Sequence, residues 1–209
     1  MASLQEYKGR YSGRVFLMGS GASLNRTPGV ERLAGEQTFA GARFFKWGKL
    51  TPSFYLLAED HQILNIARYP AQASVARFAV DWQPVPSGWV TVPRPSSLSF
   101  HHYTIPGTLL SPFEGECWHI HMGHDIPIAM LQVARYMGFS EFYLVGCEGT
   151  GGYAWDESEM RRVGDRLTTM RPLYARAKAE LGGRLWDCTP EGGLNEVLGY
   201  KSLEEVLCG

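Results

Sequence analysis

Arg14-Val15-Phe16-Leu17-Met18-Gly19-Ser20-Gly21-Ala22-Ser23-Leu24 is an apolar run that ends in a Gly-x-Gly-x-Ser turn. Such runs form buried strands, and glycines behind a strand let the backbone turn sharply and let a phosphate approach the amide groups. The serine hydroxyls add donors. The turn has neither the third glycine of a dinucleotide fingerprint nor the Gly-Lys-Ser/Thr end of a P-loop, so it also reads as a plain strand-to-helix connection.

The chain has 209 residues, 44% apolar and 20% charged, with a formal net charge of −1. That is enough for one domain with a sizeable core. A near-neutral chain gives no global electrostatic reason to expect a nucleic-acid or membrane-surface binder. The clustered Arg161, Arg162, Arg166 and Arg171 read first as a charge-rich helix face. Cys117, Cys147, Cys188 and Cys208 are far apart in sequence, and Cys147 and Cys188 close apolar runs, so buried thiols in a reducing compartment are expected. Met1 to Tyr11 is polar and no stretch reaches the length of a membrane span, so a cytoplasmic protein without membrane insertion is expected.

Outward from the first strand, 43–47, 52–57, 75–80 and 89–92 read as further strands, with a helix over about 61–68. The stretch 81–116 is rich in Pro, Ser, Gly and aromatic residues and reads as an irregular excursion, a lid or small subdomain. Asp125 suits an N-cap and Pro127 a first turn, and the helix they open stops at Gly138. Residues 141–146 read as a buried strand. A helix fits 157–181, broken near Gly164 and Pro172, and 184–188 and 203–207 read as a last strand and a terminal helix. The alternation predicts a three-layer α/β fold with a mostly parallel sheet. Ligands of such sheets sit at the carboxyl ends of the strands. That edge gathers the Gly19–Ser23 loop, Glu59-Asp60 and the segment from Glu148 to Tyr153.

Four segments carry a family resemblance: Gly19-Ser20-Gly21-Ala22-Ser23-Leu24; the helix–strand unit 129–145; Gly146-Cys147-Glu148 with Gly152-Tyr153-Ala154-Trp155-Asp156; and Asp187-Cys188-Thr189-Pro190-Glu191-Gly192-Gly193-Leu194 with the Ser202–Val206 tail. The first, second and fourth resemble the family of archaeal hydroxymethylpterin pyrophosphokinases and motility-associated flagellin glycosylation factors. The first three are also similar to the bacterial sialyltransferases of glycosyltransferase family 42. The resemblance implies a single Rossmann-like nucleotide-binding domain over 1–209, with 81–116 inserted. It implies that Gly19, Ser20, Gly21 and Ser23 contact the nucleotide and that Tyr153 stabilises the leaving phosphate. It puts the family's nucleotide-contacting second-strand Asn near Phe45. The sialyltransferase base, a His downstream of that Tyr, has no counterpart here, because no His follows His124.

Glu148 follows a strand directly and suits a ribose or base contact. His121 and His124 lead into a helix N-terminus at the sheet's carboxyl edge and suit substrate contact, with His124 suited to proton transfer near neutral pH. Asp156 reads as a second candidate base or as an ordinary acid of a helix first turn. Glu59 and Asp60 suit a divalent cation or ribose hydroxyls, or a polar helix start. The run 117–125 is dense in metal-ligand residue types but has no recognised zinc spacing, so no metal site is assigned. The resulting expectation is a glycosyltransferase-like enzyme. Its co-substrate is a nucleotide-sugar donor, and a divalent metal is compatible but not required. The acceptor is a glycan, a protein or a modified nucleobase in DNA, and a homo-oligomer is compatible. The competing expectations are an ATP-dependent diphosphokinase acting on a pterin-like molecule and a non-catalytic nucleotide-binding module.

Overall fold

The computed structural model describes residues 3–41, 43–57, 76–80, 87–93, 110, 126–149, 151–158 and 166–209. Its centre is a sheet of seven strands: β1 (Arg14–Met18), β2 (Thr38–Gly41), β3 (Phe54–Leu57), β4 (Ala76–Val80), β5 (Val90–Val92), β6 (Glu141–Val145) and β7 (Leu185–Asp187). The order is β5-β4-β3-β2-β1-β6-β7, and every pairing is parallel. Strands of such a sheet are covered on both faces, which is why they read as unbroken apolar runs.

Successive residues point to opposite faces and so divide the core in two. Val15, Leu17, Phe39, Phe54, Leu56, Phe142 and Leu144 pack on one face with helices α1 (Ile126–Met137) and α2 (Arg166–Glu180). Phe16, Met18, Ala40, Tyr55, Leu57, Tyr143 and Val145 face the other side. There the cover is short 3-10 turns, Ala22–Asn25, Val30–Gly35 and Phe44–Lys46, together with the C-terminal helix α4 (Leu203–Cys208). A four-residue helix α3 (Asn195–Leu198) precedes α4. The fold is a three-layer, Rossmann-like α/β fold, and its sheet is wholly parallel among the described strands.

Three expectations are corrected. The second strand is Thr38–Gly41 rather than 43–47, where Phe44–Lys46 forms a 3-10 turn. The apolar residues at 44, 45 and 47 all lie against one core instead of alternating between two. Gly41 is short for a strand residue because α1 lies on it: a Cβ there would be 2.4 Å from Ile126 Cγ2. The position near Phe45 is therefore not a strand end; the Phe45 amide donates to the buried Tyr55 hydroxyl at 2.9 Å. Helix α2 runs through Pro172 without a break. Pro172 and Thr168, one turn before it, are both exposed, so the missing amide hydrogen bond falls on the solvent side. Glu157 and Ser158 belong to a turn rather than to that helix.

Of the excursion 81–116, residues 87–93 supply β5 at the sheet edge, and the buried Leu110 joins the core while its amide donates to Glu180 Oε2 at 2.9 Å. The rest of the excursion, the helix expected over 61–68, Asp125 and Gly164 lie outside the described residues. Cys147 and Cys188 are buried, as expected, and Cys208 is exposed. No helix among the described residues is long and apolar enough to cross a membrane.

Candidate functional site

Strand order reverses between β1 and β6: the chain leaves β1 for β2 on one side and β6 for β7 on the other. At such a switch point the two connections diverge and leave a crevice at the carboxyl ends of the strands. Strand β1 delivers the loop 19–23 to that edge, and β6 delivers 146–158.

The two segments are knitted together by backbone bonds. Gly19 N donates to Val145 O (2.7 Å), Gly21 N to Gly146 O (3.0 Å), Ala22 N to Gly152 O (3.2 Å) and Ala154 N to Ser20 O (3.1 Å). The approach is close enough to demand glycine: a Cβ at Gly19 would lie 2.1 Å from Gly146 O. The amides of Gly19, Gly21 and Ala22 thus bind main-chain carbonyls rather than facing outward as an anion cradle. At the start of the 3-10 turn, Ser23 N donates to Glu148 Oε1 at 2.5 Å. The Glu148 carboxylate thus takes up the Ser23 amide at the start of that turn.

Tyr153 and Asp156 exchange two backbone bonds of 3.1 Å, forming a tight turn with Ala154 and Trp155 at its tip. The Tyr153 and Trp155 rings stack with centroids 4.4 Å apart and planes 13° apart. Asn25 ties the turn to its surroundings. Its Nδ2 donates to Ala154 O (2.7 Å), and its Oδ1 accepts from Trp47 Nε1 (2.9 Å) and Lys49 Nζ (3.0 Å). Lys46 Nζ lies 5.4 Å from the centre of the Trp155 indole. Asp156 is exposed, and its Oδ1 accepts from Ser158 N (3.0 Å) and Ser158 Oγ (2.6 Å), which commits that carboxylate to the turn.

The loop after β7 closes the crevice from the far side. Asp187 Oδ1 accepts from Thr189 N (2.9 Å), Thr189 Oγ1 accepts from Cys147 N (3.1 Å), and Gly193 N donates to Glu148 O (3.3 Å). Asp187 is fully buried, and burial pushes its carboxyl up to about 6, with the nearby Glu148 charge adding in the same direction. Among the described residues, Ser23 Oγ, Glu148 Oε2, Asp187 Oδ2 and Asn195 Oδ1 are buried oxygens without a hydrogen-bond partner, and all four lie along this edge. Buried polar atoms are normally paired, and these four are exceptions.

Gly19, Ser20, Gly21, Ser23, Glu148 and Tyr153 are therefore brought to one place. Glu59, Asp60, His121 and His124 lie outside the described residues, as do Cys117 and His119. No group of three metal-ligating side chains occurs among the described residues. Asp187, Thr189 and Asn25, which bond to these segments or to the loop beside them, were not assigned there from the sequence. The only local signal was Asp187-Cys188-Thr189, the spacing of a side chain that accepts from the amide two residues on.

No protein-family model matches the sequence, and no curated protein matches it. Solved structures do resemble the fold. The MAf glycosyltransferase from Magnetospirillum magneticum AMB-1 superposes with a TM-score of 0.57 at 14% identity, covering 84% of this chain and 31% of that one. This chain thus spans about a third of that protein's length. The sialyltransferase CST-II, solved in complex with a trisaccharide acceptor and CMP, superposes with a TM-score of 0.53 at 14% identity, covering 91% of this chain and 87% of its own. The fold is one that these two glycosyltransferase structures share.

Proposed function

We propose that this chain is a glycosyltransferase that moves a sugar from a nucleotide-activated donor to an acceptor hydroxyl or amine. The observation that carries the reading is the joining of Gly19–Ser23, Glu148 and the Tyr153 turn at the β1/β6 switch point. Glu148 Oε2, buried and without a donor, suits a ribose hydroxyl of the nucleotide. Tyr153 stabilises the charge that develops on the departing phosphate, where a phenol donor strengthens its hydrogen bond as the bond to the sugar breaks. His124 takes the acceptor's proton, a role that suits a group titrating near neutrality.

The likeness to structures that include a sialyltransferase bound to CMP and a trisaccharide supports a nucleotide donor and a saccharide acceptor. A protein acceptor or a nucleobase in DNA follows the same chemistry. The test is a thermal-shift panel of CMP-, UDP- and GDP-sugars, ATP and a free pterin, with and without a divalent metal. A nucleotide-sugar is expected to raise the melting temperature without metal. Stabilisation by none of them overturns the reading, and stabilisation by ATP and pterin alone replaces it with diphosphoryl transfer.

A further inference from the structure

We infer that Thr189 is a positioning residue for the Glu148 carboxylate, and that the loop after β7 thereby sets how the ribose of the nucleotide is recognised. The inference rests on the nucleotide donor and the ribose contact proposed above.

Glu148 lies in the segment Gly146-Cys147-Glu148-Gly149, and both glycines have left-handed backbone, with φ of 72° and 71°. A segment bounded by two glycines has much conformational freedom to lose. A carboxylate carried on it meets a ligand in one geometry only if the backbone beside it is held from outside. The loop after β7 holds it at two points. Thr189 Oγ1 accepts from Cys147 N at 3.1 Å, across 42 positions of sequence, and Gly193 N donates to Glu148 O at 3.3 Å. These two bonds bracket the Cα of Glu148 and so set the direction in which its side chain leaves the backbone. Ser23 N donates to Glu148 Oε1, and Oε2 is left buried without a partner.

Thr189 is fully buried and is itself held on every side. Its amide donates to Asp187 Oδ1 at 2.9 Å, and its carbonyl accepts from Gly192 N at 3.1 Å and from Asn195 Nδ2 at 3.3 Å. From α2, Arg171 Nε donates to Gly193 O at 3.0 Å. With the backbone fixed in this way, the hydroxyl presents its lone pair to the Cys147 amide in one direction. Thr189 acts through Glu148 and needs no contact with the ligand. Valine keeps the shape of threonine without the acceptor, and serine keeps the acceptor.

The test is calorimetric titration of the whole chain, well below its melting temperature, with CMP, UDP, GDP and ATP, each beside its 2′-deoxy and 3′-deoxy forms. For the nucleotide that binds best, loss of the ribose hydroxyl that Glu148 accepts should weaken binding at least about tenfold, the effect of losing a hydrogen bond to a charged group. Thr189→Val should remove most of that preference by weakening the ribonucleotide alone, and Thr189→Ser should keep it. A residue that only stabilises the fold would lower the melting temperature and leave the ratio untouched. If Thr189→Val does not fold, Thr189→Cys, with its poorer acceptor, should shrink the same ratio. A ratio unchanged in the folded variant, or lost equally in Thr189→Ser, overturns the positioning role and leaves the nucleotide-donor reading in place. A wild-type protein without ribose preference overturns the inference together with the ribose contact of Glu148, while the donor reading stands. Binding of no nucleotide at all overturns all three.

Discussion

The carboxylate of Glu148 is packed against the Cα of Gly21: a Cβ built at position 21 would lie 1.4 Å from Glu148 Oε2. Residue 21 is thus kept as glycine by a side chain from the loop after β6, not only by the turn it belongs to. The same carboxylate fixes the 3-10 turn through Ser23 N, so one contact joins the ends of β1 and β6 at the switch point.

Gly21→Ala is expected to fold, because the clashing atoms are the mobile end of a glutamate. It should lose about 1–3 kcal/mol as Glu148 gives up its bond to Ser23. Nucleotide affinity should fall at least about tenfold, a cost of about 1.4 kcal/mol. In a denaturant double-mutant cycle, Glu148→Ala added to Gly21→Ala should cost far less than in the wild-type background. Additive costs would show that the two residues are independent.

Tyr153→Phe removes only the hydroxyl and keeps the stack on Trp155. If the phenol serves the leaving phosphate, kcat should fall about 10²-fold or more while KM changes little. Steady-state kinetics with the nucleotide-sugar that stabilises the protein reads this directly. Equal changes in kcat and in binding would place Tyr153 in ground-state recognition instead.

Asp187 gives a pH signature. Its folded value of about 6 stands above the ordinary 3.8 because of burial, so the folded state holds a proton that the unfolded state has released. The resulting stability is complete below about pH 4, is lost as pH rises through about 6, and is flat above that. The amount is about 3 kcal/mol at most for a shift of roughly two units. Asp187→Asn retains an acceptor for Thr189 N without a charge. Its urea-unfolding stability should be nearly flat between pH 4 and 7 and exceed wild type at pH 7. A wild-type profile that rises over this window would contradict the assignment.

Asn25→Ala should loosen the Tyr153 turn by deleting one donor and one doubly used acceptor. A stability loss of about 1–2 kcal/mol is expected, with a red shift of the fluorescence of Trp47, whose indole N–H loses its partner. Asn25→Asp restores the acceptor for Trp47 and Lys49 but cannot donate to Ala154 O. It should therefore recover the Trp47 signal and leave turnover depressed. Recovery of both would show that the bond to Ala154 O does not hold the turn.

Strands β1, β3, β4, β5 and β6 were legible because a parallel strand buried on both faces must be apolar throughout, and β7 because it lies between turn signals. Strand β2 was not legible. Thr38-Phe39-Ala40-Gly41 has little strand character of its own, and its small residues answer to the helix packed on them. The aromatic run at 43–47 drew attention instead, although its side chains share one face. The glycine loop and Tyr153 were likewise legible as local patterns. Their partners were not, since Ser23 and Glu148 are 125 positions apart and Asn25 and Ala154 are 129 apart.

By itself the sequence determined the layered α/β class and the two loops that meet at the carboxyl edge of the sheet, because burial and turn chemistry are properties of neighbouring residues. Only the tertiary structure decided what the glycine loop bonds to. The amides of Gly19, Gly21 and Ala22 bond to carbonyls, and that of Ser23 to a carboxylate from the loop after β6. Hydrogen-bond saturation and charge placement depend on which distant groups the fold makes adjacent, and no local pattern encodes that.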